Sequence, residues 1–412
     1  MKIRLAVATP VVAVLSLAAW TPTARAAGIA LDVQSARGTG MAGAVSAMID
    51  DSSAIFYNPA GIAQGKIIDA QVGDTLILPS FQYTSPQGGT TRNSFEAVPP
   101  FNAYVSGGIT DDLSIGIGVF TPFGLTLAWP NDWPGRSQIT KAQFATFDFN
   151  PTVAYRFGPL RVGAGLQIVR ATVDLQKQIE TGQGEASTEL GAGAWGVGAN
   201  VGVQFEAVPR YLSLALQYRS AVKFDFDGNA HFSNVPADFQ SALHDQRVTT
   251  SLITPDTVQI GVASRPIPSL VLDLDVMWYG WEKFRSIDIT FPDNTALNTS
   301  EPKNWSNTVN VHVGGEGTID DSWKVRAGVM YDPSPSPDDT LLPDVPDATR
   351  LNLAVGGSYY HPSGFHVDLG YQFLFFFKRT STAVQFPGDY SGVVNIIGLS
   401  VGYRMPARAA SR

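Results

Sequence analysis

The sixteen residues from Asp50 to Gly65, DDSSAIFYNPAGIAQG, stand between an export-type N-terminus and a long series of alternating apolar and polar positions. Pro59 holds Asn58 extended and fixes its own φ, so the turn Tyr57-Asn58-Pro59-Ala60-Gly61 is stiff. Gly38, Gly40, Gly43 and Gly61 allow the backbone around it to pack closely. Read locally, the stretch is an Asn-Pro turn leading into a first strand, or part of a compact element packed against the strands that follow. Its flanks decide between the two.

Upstream, Lys2 and Arg4 precede an apolar run from Leu5 to Trp20 and then Ala24-Arg25-Ala26, which predicts a signal peptide over residues 1–26 with cleavage before Ala27. The run contains Pro10, and nothing later approaches the roughly 18 apolar residues of a spanning helix. Without Lys2, Arg4 and Arg25 the remaining 386 residues carry 25 basic against 36 acidic side chains, a net charge of −11. That balance excludes a nucleic-acid partner. The absence of Cys excludes disulfides, Cys-ligated zinc and a thiol nucleophile. With 40 Gly, 23 Phe, 13 Tyr, 8 Trp and only 16% charged residues, the composition is that of a β-rich chain with tight turns. The Pro-rich piece DPSPSPDDTLLPDVPD, Asp332 to Asp347, lies between similar strands and reads as a long loop, so the strand region is one domain.

Downstream, the period is two. Leu212, Leu214, Leu216 and Tyr218 alternate with Ser213, Ala215, Gln217 and Arg219; Trp323, Val325, Ala327, Val329 and Tyr331 oppose Lys324, Arg326, Gly328, Met330 and Asp332. Such a split fits a soluble sandwich or a lipid-facing barrel. The connections separate the two. Fourteen candidate strands begin near Lys66, Phe101, Leu113, Phe144, Leu160, Trp195, Leu212, Val248, Leu270, Asn307, Trp323, Leu351, Phe365 and Val393. Links after even strands are short (TDD, FGP, VPR, RPIPS, TIDDS, HPSG). Links after odd strands are long: residues 79–100, 122–143, 179–192, 229–247, 291–304, 333–349 and 379–392. An even count with short turns on one side and long loops on the other predicts an all-β, 14-stranded antiparallel transmembrane β-barrel over residues 66–404, with a C-terminal tail over 405–412.

Chemistry that a barrel could host finds no support in the spacing. His231, His244, His312, His361 and His366 form no i, i+4 pair or His-x-Glu cluster, so neither a metal nor another cofactor is expected. Ser358, His312 and His366 lie on strands with no spacing that selects a triad. Arg219, Lys324, Arg326, Asp273, Asp275 and Asp368 share the inward parity; both signs are present, so mutual neutralisation is expected, with substrate-carboxylate binding by a basic member as the alternative. Parity places Arg170 outward, with Val162, Leu166 and Ile168, and it is not taken as a ligand.

Over nearly the whole length after residue 26, the chain resembles the FadL family of outer-membrane transporters for long-chain fatty acids and other hydrophobic molecules. The resemblance rests on AGIALDVQSARGTGMAGAV, DDSSAIFYNPAG, TPFGLTLAWPNDWPGR, FNPTVAYRFG, LALQYRS, YDPSPSPDD and LPDVPDATRLNLAVGGSY in this order. It implies that residues 27–65 are an N-terminal hatch inside the barrel, with Asn58, Pro59, Ala60 and Gly61 as its gate turn. It also implies a third strand kinked beside that turn. The matching stretch is GVFTPFGL, where Pro122 cannot donate to a ladder and Gly124 adds freedom; the residues alone fit a break or the strand's end equally. The resemblance further implies capture of substrate among Phe120, Phe123, Leu125, Leu127, Trp129 and Trp133. From there substrate would pass to a pocket where Ile29 and Leu31 pack. The implied function is passive, hatch-gated uptake with lateral release by a monomer in a Gram-negative outer membrane, in contact with its lipid and lipopolysaccharide, and no catalysis. Uptake of aromatic hydrocarbons, a polar-solute porin and a barrel enzyme are the rival readings. In two places the chain departs from the family. The 179–192 loop is short where the best-known members carry a longer helical one, so an outer capture groove is not implied here; and the last aromatic, Tyr403, is followed by RMPARAASR.

Overall fold

The structure, a computed structural model, describes residues 28–405. The expected signal peptide, residues 1–26, and the tail after Met405 lie outside the described residues. The chain forms a closed ring of fourteen antiparallel staves: β1 (Ile68–Thr84), β2 (Phe101–Gly108), β3 (Leu113–Phe120 and Gly124–Ala128), β4 (Lys141–Phe157), β5 (Leu160–Glu180), β6 (Glu185–Val208), β7 (Leu212–Arg219 and Lys223–Ser233), β8 (Gln246–Ile253 and Thr257–Ile267), β9 (Leu270–Tyr279), β10 (Thr308–Thr318), β11 (Trp323–Asp332), β12 (Arg350–Tyr360), β13 (Phe365–Ser381) and β14 (Gly388–Met405). Closure is made by β1 against β14, from Ile68 opposite Met405 to Thr84 opposite Asp389.

The period-two pattern explains the wall. Outward positions stay apolar and exposed around the ring, as at Val72, Ile117, Leu166, Leu216, Leu272, Val329 and Leu399. A continuous exposed apolar band of this kind is stable only against lipid. Tyr155, Phe157, Trp323, Tyr359 and Phe365 rim its short-turn end, where amphipathic rings suit the interface. The inward parity is buried, with Arg219, Asp275, Arg326 and Asp368 all facing the lumen, while Arg170 points outward beside Trp195.

Strand limits shift from expectation mainly above the membrane. β1 starts at Ile68, two residues after Lys66, and β14 takes in Met405. β5 and β6 run for 21 and 24 residues, far beyond the roughly 9–11 that span a bilayer. The expected 179–192 loop is therefore residues 181–184 at the tip of a projecting hairpin. Likewise the 379–392 loop shrinks to 382–387. Three staves, β3, β7 and β8, are interrupted, and the long 280–307 connection carries its own hairpin, Ser286–Ile289 against Thr299–Pro302.

Residues 28–67 fill the lumen. They contain only two four-residue helices, α1 (Ala36–Thr39) and α2 (Ala54–Tyr57), and one 3₁₀ turn, Pro59–Ile62. The 3₁₀ turn lies against β4, β5 and β6, and α1 against β12, β13 and β14. We expect deletion of residues 28–62 to leave a folded, heat-modifiable barrel, because the ladder begins after them, and to raise its ion conductance in planar bilayers. A truncated barrel that inserts and conducts no more than the full chain would contradict this filling of the lumen.

Candidate functional site

A segment with so little regular structure must find partners for its backbone elsewhere. The wall supplies them from side chains on its inward parity. Gln204 Nε2 donates to the carbonyls of Ser46 and Ile49, each at 3.1 Å. Gln217 Nε2 donates to the Phe56 carbonyl at 2.7 Å, and His312 Nδ1 to that of Ala42 at 2.7 Å. On the donor side, the N–H groups of Val45 and Ser46 both reach Asp275 Oδ2 at 3.0 Å. Charge adds a second attachment: Arg37 lies 3.1 Å from Glu316 and 2.7 and 2.8 Å from Asp50 and Asp51. Glu316 in turn pairs with Lys324 and Arg326, and Arg326 with Asp368. Lys324, Arg326 and Asp368 are thus paired through Glu316, with Arg37 of the plug drawn into the network, and Arg219 pairs with Asp148; Asp275 is met by plug N–H groups, Ser46 and Gln259 and by no cation among the described ion pairs.

The Asn58-Pro59-Ala60 turn occupies a notch of its own. Gly163 and Gly202 face each other across β5 and β6, and a Cβ on Gly163 would lie 2.3 Å from the Pro59 carbonyl carbon. Asn58 Nδ2 donates to the Val203 carbonyl at 3.1 Å. Gly61 packs close to Ile49. The turn is thus docked on β5 and β6. Phe56 and Tyr57, just before the turn, border the same recess as Pro122 and Phe123 at the break in β3.

That break is real and is met by a different part of the plug. Phe120 pairs with Asp148 and Gly124 with Ala145, so three residues face two and the strand bulges inward at Thr121-Pro122-Phe123. β2 pairs with β3 only as far as Ala103 opposite Val119. Beyond it, the upper half of β3 has a strand partner on the β4 side alone. Residues 29–31 lie along the break as a short added strand: Leu31 N–H donates to the Pro122 carbonyl at 2.9 Å and Gly124 N–H to the Ile29 carbonyl at 3.0 Å. Gln34 closes the remaining pair. Its Nε2 donates to the Thr121 carbonyl at 2.6 Å and its Oε1 accepts from Thr121 N–H at 3.0 Å.

Residues 29–31 also border two apolar chambers. The inner chamber, about 130 Å³, is lined by Ile29, Leu31, Leu125 and Leu127 together with Phe81, Leu374, Phe376, Val394 and Ile396. The outer one, about 70 Å³, is lined by Phe144, Val173, Phe226, Leu252, Phe284 and Ile287. Ile29, Leu125 and Val345 border both and form the partition between them. On the other side of residues 30–32, Pro122 and Phe123 border a smaller recess of about 30 Å³ with Phe56, Arg219 and Gln259.

Of the residues expected to meet substrate, Ile29, Leu31, Leu125 and Leu127 are brought together at the chambers. Phe120 is enclosed by Phe56, Tyr104 and Arg219 and borders neither chamber. Trp129 and Trp133 are buried and stacked on each other at 4.6 Å, and Trp129 Nε1 donates to the Pro343 carbonyl at 3.0 Å. Trp129 thereby ties down the 333–349 loop, whose Val345, Pro346 and Asp347 border the inner chamber, and neither buried ring presents an outer capture surface. The residues missed were Phe81, Leu374, Phe376, Val394 and Ile396. Their signal was present: inward positions of β13 run His366, Asp368, Gln372 and then Leu374, Phe376, a change from polar to apolar within one face.

A lipid-facing barrel of fourteen staves, plugged by its own N-terminal segment beneath apolar chambers, has the architecture of an outer-membrane transport protein for apolar cargo. The sequence model of the family described as "Outer membrane protein transport protein (OMPP1/FadL/TodX)" matches residues 16–405, and the chain belongs to that family. It is 25% identical to the long-chain fatty acid transport protein of Escherichia coli K12 over 90% of this chain and 91% of that one. It is 24% identical to outer membrane protein P1 of Haemophilus influenzae over 85% and 86%. Among solved structures, a Pseudomonas aeruginosa FadL homologue superposes with a TM-score of 0.81 at 19% identity, covering 92% of this chain and 99% of that one. The toluene transporter TodX of P. putida gives 0.74 at 14%, covering 93% and 99%. The protein is accordingly placed in the outer membrane of a Gram-negative cell.

Two outcomes follow from the attachments. Gln34→Leu orphans the N–H and carbonyl of Thr121, at about 1–3 kcal/mol for each buried group; amide exchange at Thr121 should accelerate while the β5 and β6 amides keep their protection. Acid should also loosen the plug. Burial alone would push the Asp51 carboxyl up, but Arg37 and hydrogen bonds from Ser53 and Gln71 outweigh it and hold it at about 2. A carboxyl depressed in the folded state stabilises it fully above its unfolded value of ~3.9 and loses that contribution as pH falls through the folded value. Conductance should therefore rise between about pH 4 and 2, and Arg37→Met should show the open behaviour at neutral pH.

Proposed function

We propose that the protein takes up hydrophobic molecules passively, as a monomer bedded in outer-membrane lipid and lipopolysaccharide, with no covalent chemistry. Substrate enters the outer chamber from the loop side, crosses the partition of Ile29, Leu125 and Val345, and settles in the inner chamber. The observation that carries this reading is that residues 29–34 do two things at once: they wall the chambers and they satisfy the broken backbone of β3. Ligand that displaces Ile29 and Leu31 therefore also uncovers the break. The relatives point the same way, since one is named for long-chain fatty acid transport and another for toluene.

Exit follows from transfer energetics. A hydrophobic molecule sent straight into the aqueous periplasm forfeits ~0.8 kcal/mol per CH₂, whereas a side exit through the break returns it to lipid. Lateral release is cheaper by many kcal/mol for a long chain. Replacing Pro122 and Gly124 with Val favours a regular strand, and a Cβ at position 124 would press on Leu31 Cδ1 at 3.0 Å. The double variant should assemble and bind ligand yet fail to support uptake. Unchanged uptake with β3 shown to be regular would refute release at this site. A thermal melt of the unmodified protein that no hydrophobic ligand shifts, alongside saturable sugar binding, would favour a polar-solute porin instead.

A further inference from the structure

The charges that border the two chambers are few and already engaged. Among the described residues, the inner chamber is bordered by Asp32, Asp347 and Arg350, and the outer one by Asp344. Arg350 Nε lies 2.6 Å from Asp332 Oδ2. Its guanidinium sits in the fields of Asp332, Asp347 and Asp32 together. Asp344 is 2.7 Å from Lys303, whose ammonium is shared with Glu301. Three carboxylates thus crowd one arginine, and two more share one lysine. Burial pushes the Asp347 carboxyl up against the opposing pull of Arg350, the Ser334 hydrogen bond and Arg379, which is itself paired with Asp338.

An anionic head group would add a further negative charge to this surplus in a water-poor space, where an uncompensated ion is costly. A neutral head meets a different reception. Asn352 and Gln372 border the same end of the inner chamber and are each 3% exposed. Asn352 Oδ1 and Gln372 Oε1 have no hydrogen-bond partner among the described residues. Buried amide oxygens of this kind normally have a donor. Across the ladder, Asn352 faces Leu374 and Gln372 faces Ile396, where the apolar wall begins. The chamber is therefore an apolar space with hydrogen-bond acceptors at one end and no spare cation.

We propose that the inner chamber selects an apolar molecule with an uncharged hydrogen-bond donor at its head, such as a long-chain alcohol, and admits a fatty acid only in its protonated form. This rests on the transport reading above and narrows it to a class of cargo. The full chain after signal removal, in lipid nanodiscs with empty nanodiscs as reference, is titrated at pH 8 with 1-dodecanol, dodecane and dodecanoate. Dodecanol should bind roughly tenfold more tightly than dodecane, the effect of about one net hydrogen bond, and dodecanoate more weakly than either. Gln372→Met, close in size and without the amide, should lower dodecanol affinity toward that of dodecane and leave dodecane unchanged. Dodecanoate binding as tightly as dodecanol, or dodecanol no tighter than dodecane, would overturn this inference and leave the transport reading standing. Failure of all three to bind would overturn the transport reading and this inference with it. The three-ligand comparison on the unmodified protein decides the matter even if the variant does not fold.

Discussion

The structure depends on one requirement: a chain segment buried without helix or sheet of its own must have its backbone satisfied by something else. Residues 28–67 meet it by borrowing from the wall. The inward positions at plug height are Gln204, Gln217, Asp275 and His312, each reaching a plug carbonyl or N–H. An apolar side chain at Gln204, Asp275 or His312 would leave an orphaned group, whereas the Phe56 carbonyl would keep Arg219 if Gln217 were lost. The polarity of the lower lumen is thus a consequence of the plug's irregular backbone, and the glycine pair Gly163 and Gly202 is the steric counterpart, removing side chains where the Asn58-Pro59 turn must lie.

The same requirement makes the break in β3 and the first residues of the plug each other's partner. A strand interrupted in a membrane wall exposes donors and acceptors that lipid cannot satisfy. Here Leu31, Ile29 and Gln34 take them up. Each part supplies the other's backbone partners at this height, whereas the ion network of Arg37, Glu316 and Arg326 holds the plug on the far side of the lumen. The plug therefore has two unlike attachments: a polar one made by buried charges, and an apolar one at Ile29 and Leu31 that a hydrophobic ligand can compete for.

What was legible in the sequence follows from which forces act on single positions. Lipid imposes an apolar residue at every second position, so the staves, their inward charges and the outward parity of Arg170 could be read directly. Above the bilayer both faces meet water or protein and the alternation fades, which is why β5 and β6 were cut short at 179 and 192. The docking of Asn58-Pro59-Ala60 on Gly163 and Gly202 is a contact between residues far apart in the chain, and no local pattern announces it. Trp129 and Trp133 illustrate a different failure. Large aromatics in a loop read as an exposed capture surface, but their indole N–H groups found backbone partners in Pro343 and Ile139, and burial won.

The lumen thus carries two chemistries stacked along its axis. On β1, β13 and β14 the inward column changes from polar to apolar along the strand: Thr75 to Ile77, Gln372 to Leu374, and Ser400 to Ile396, with Gln372 the last polar position, level with Ile396. A wholly apolar column would leave the plug's carbonyls without donors, and a wholly polar one would give an oily cargo no reason to leave the outer membrane. The boundary has to fall where the plug ends. It does, and Ile29 to Gln34 straddle it, apolar at Ile29 and Leu31 toward the chambers and polar at Gln34 toward Thr121 and Tyr104. A ligand pressing on the apolar half of this short segment acts on residues bonded to the break itself. On the proposed route, occupancy and opening are therefore coupled through five peptide units, with no longer pathway required.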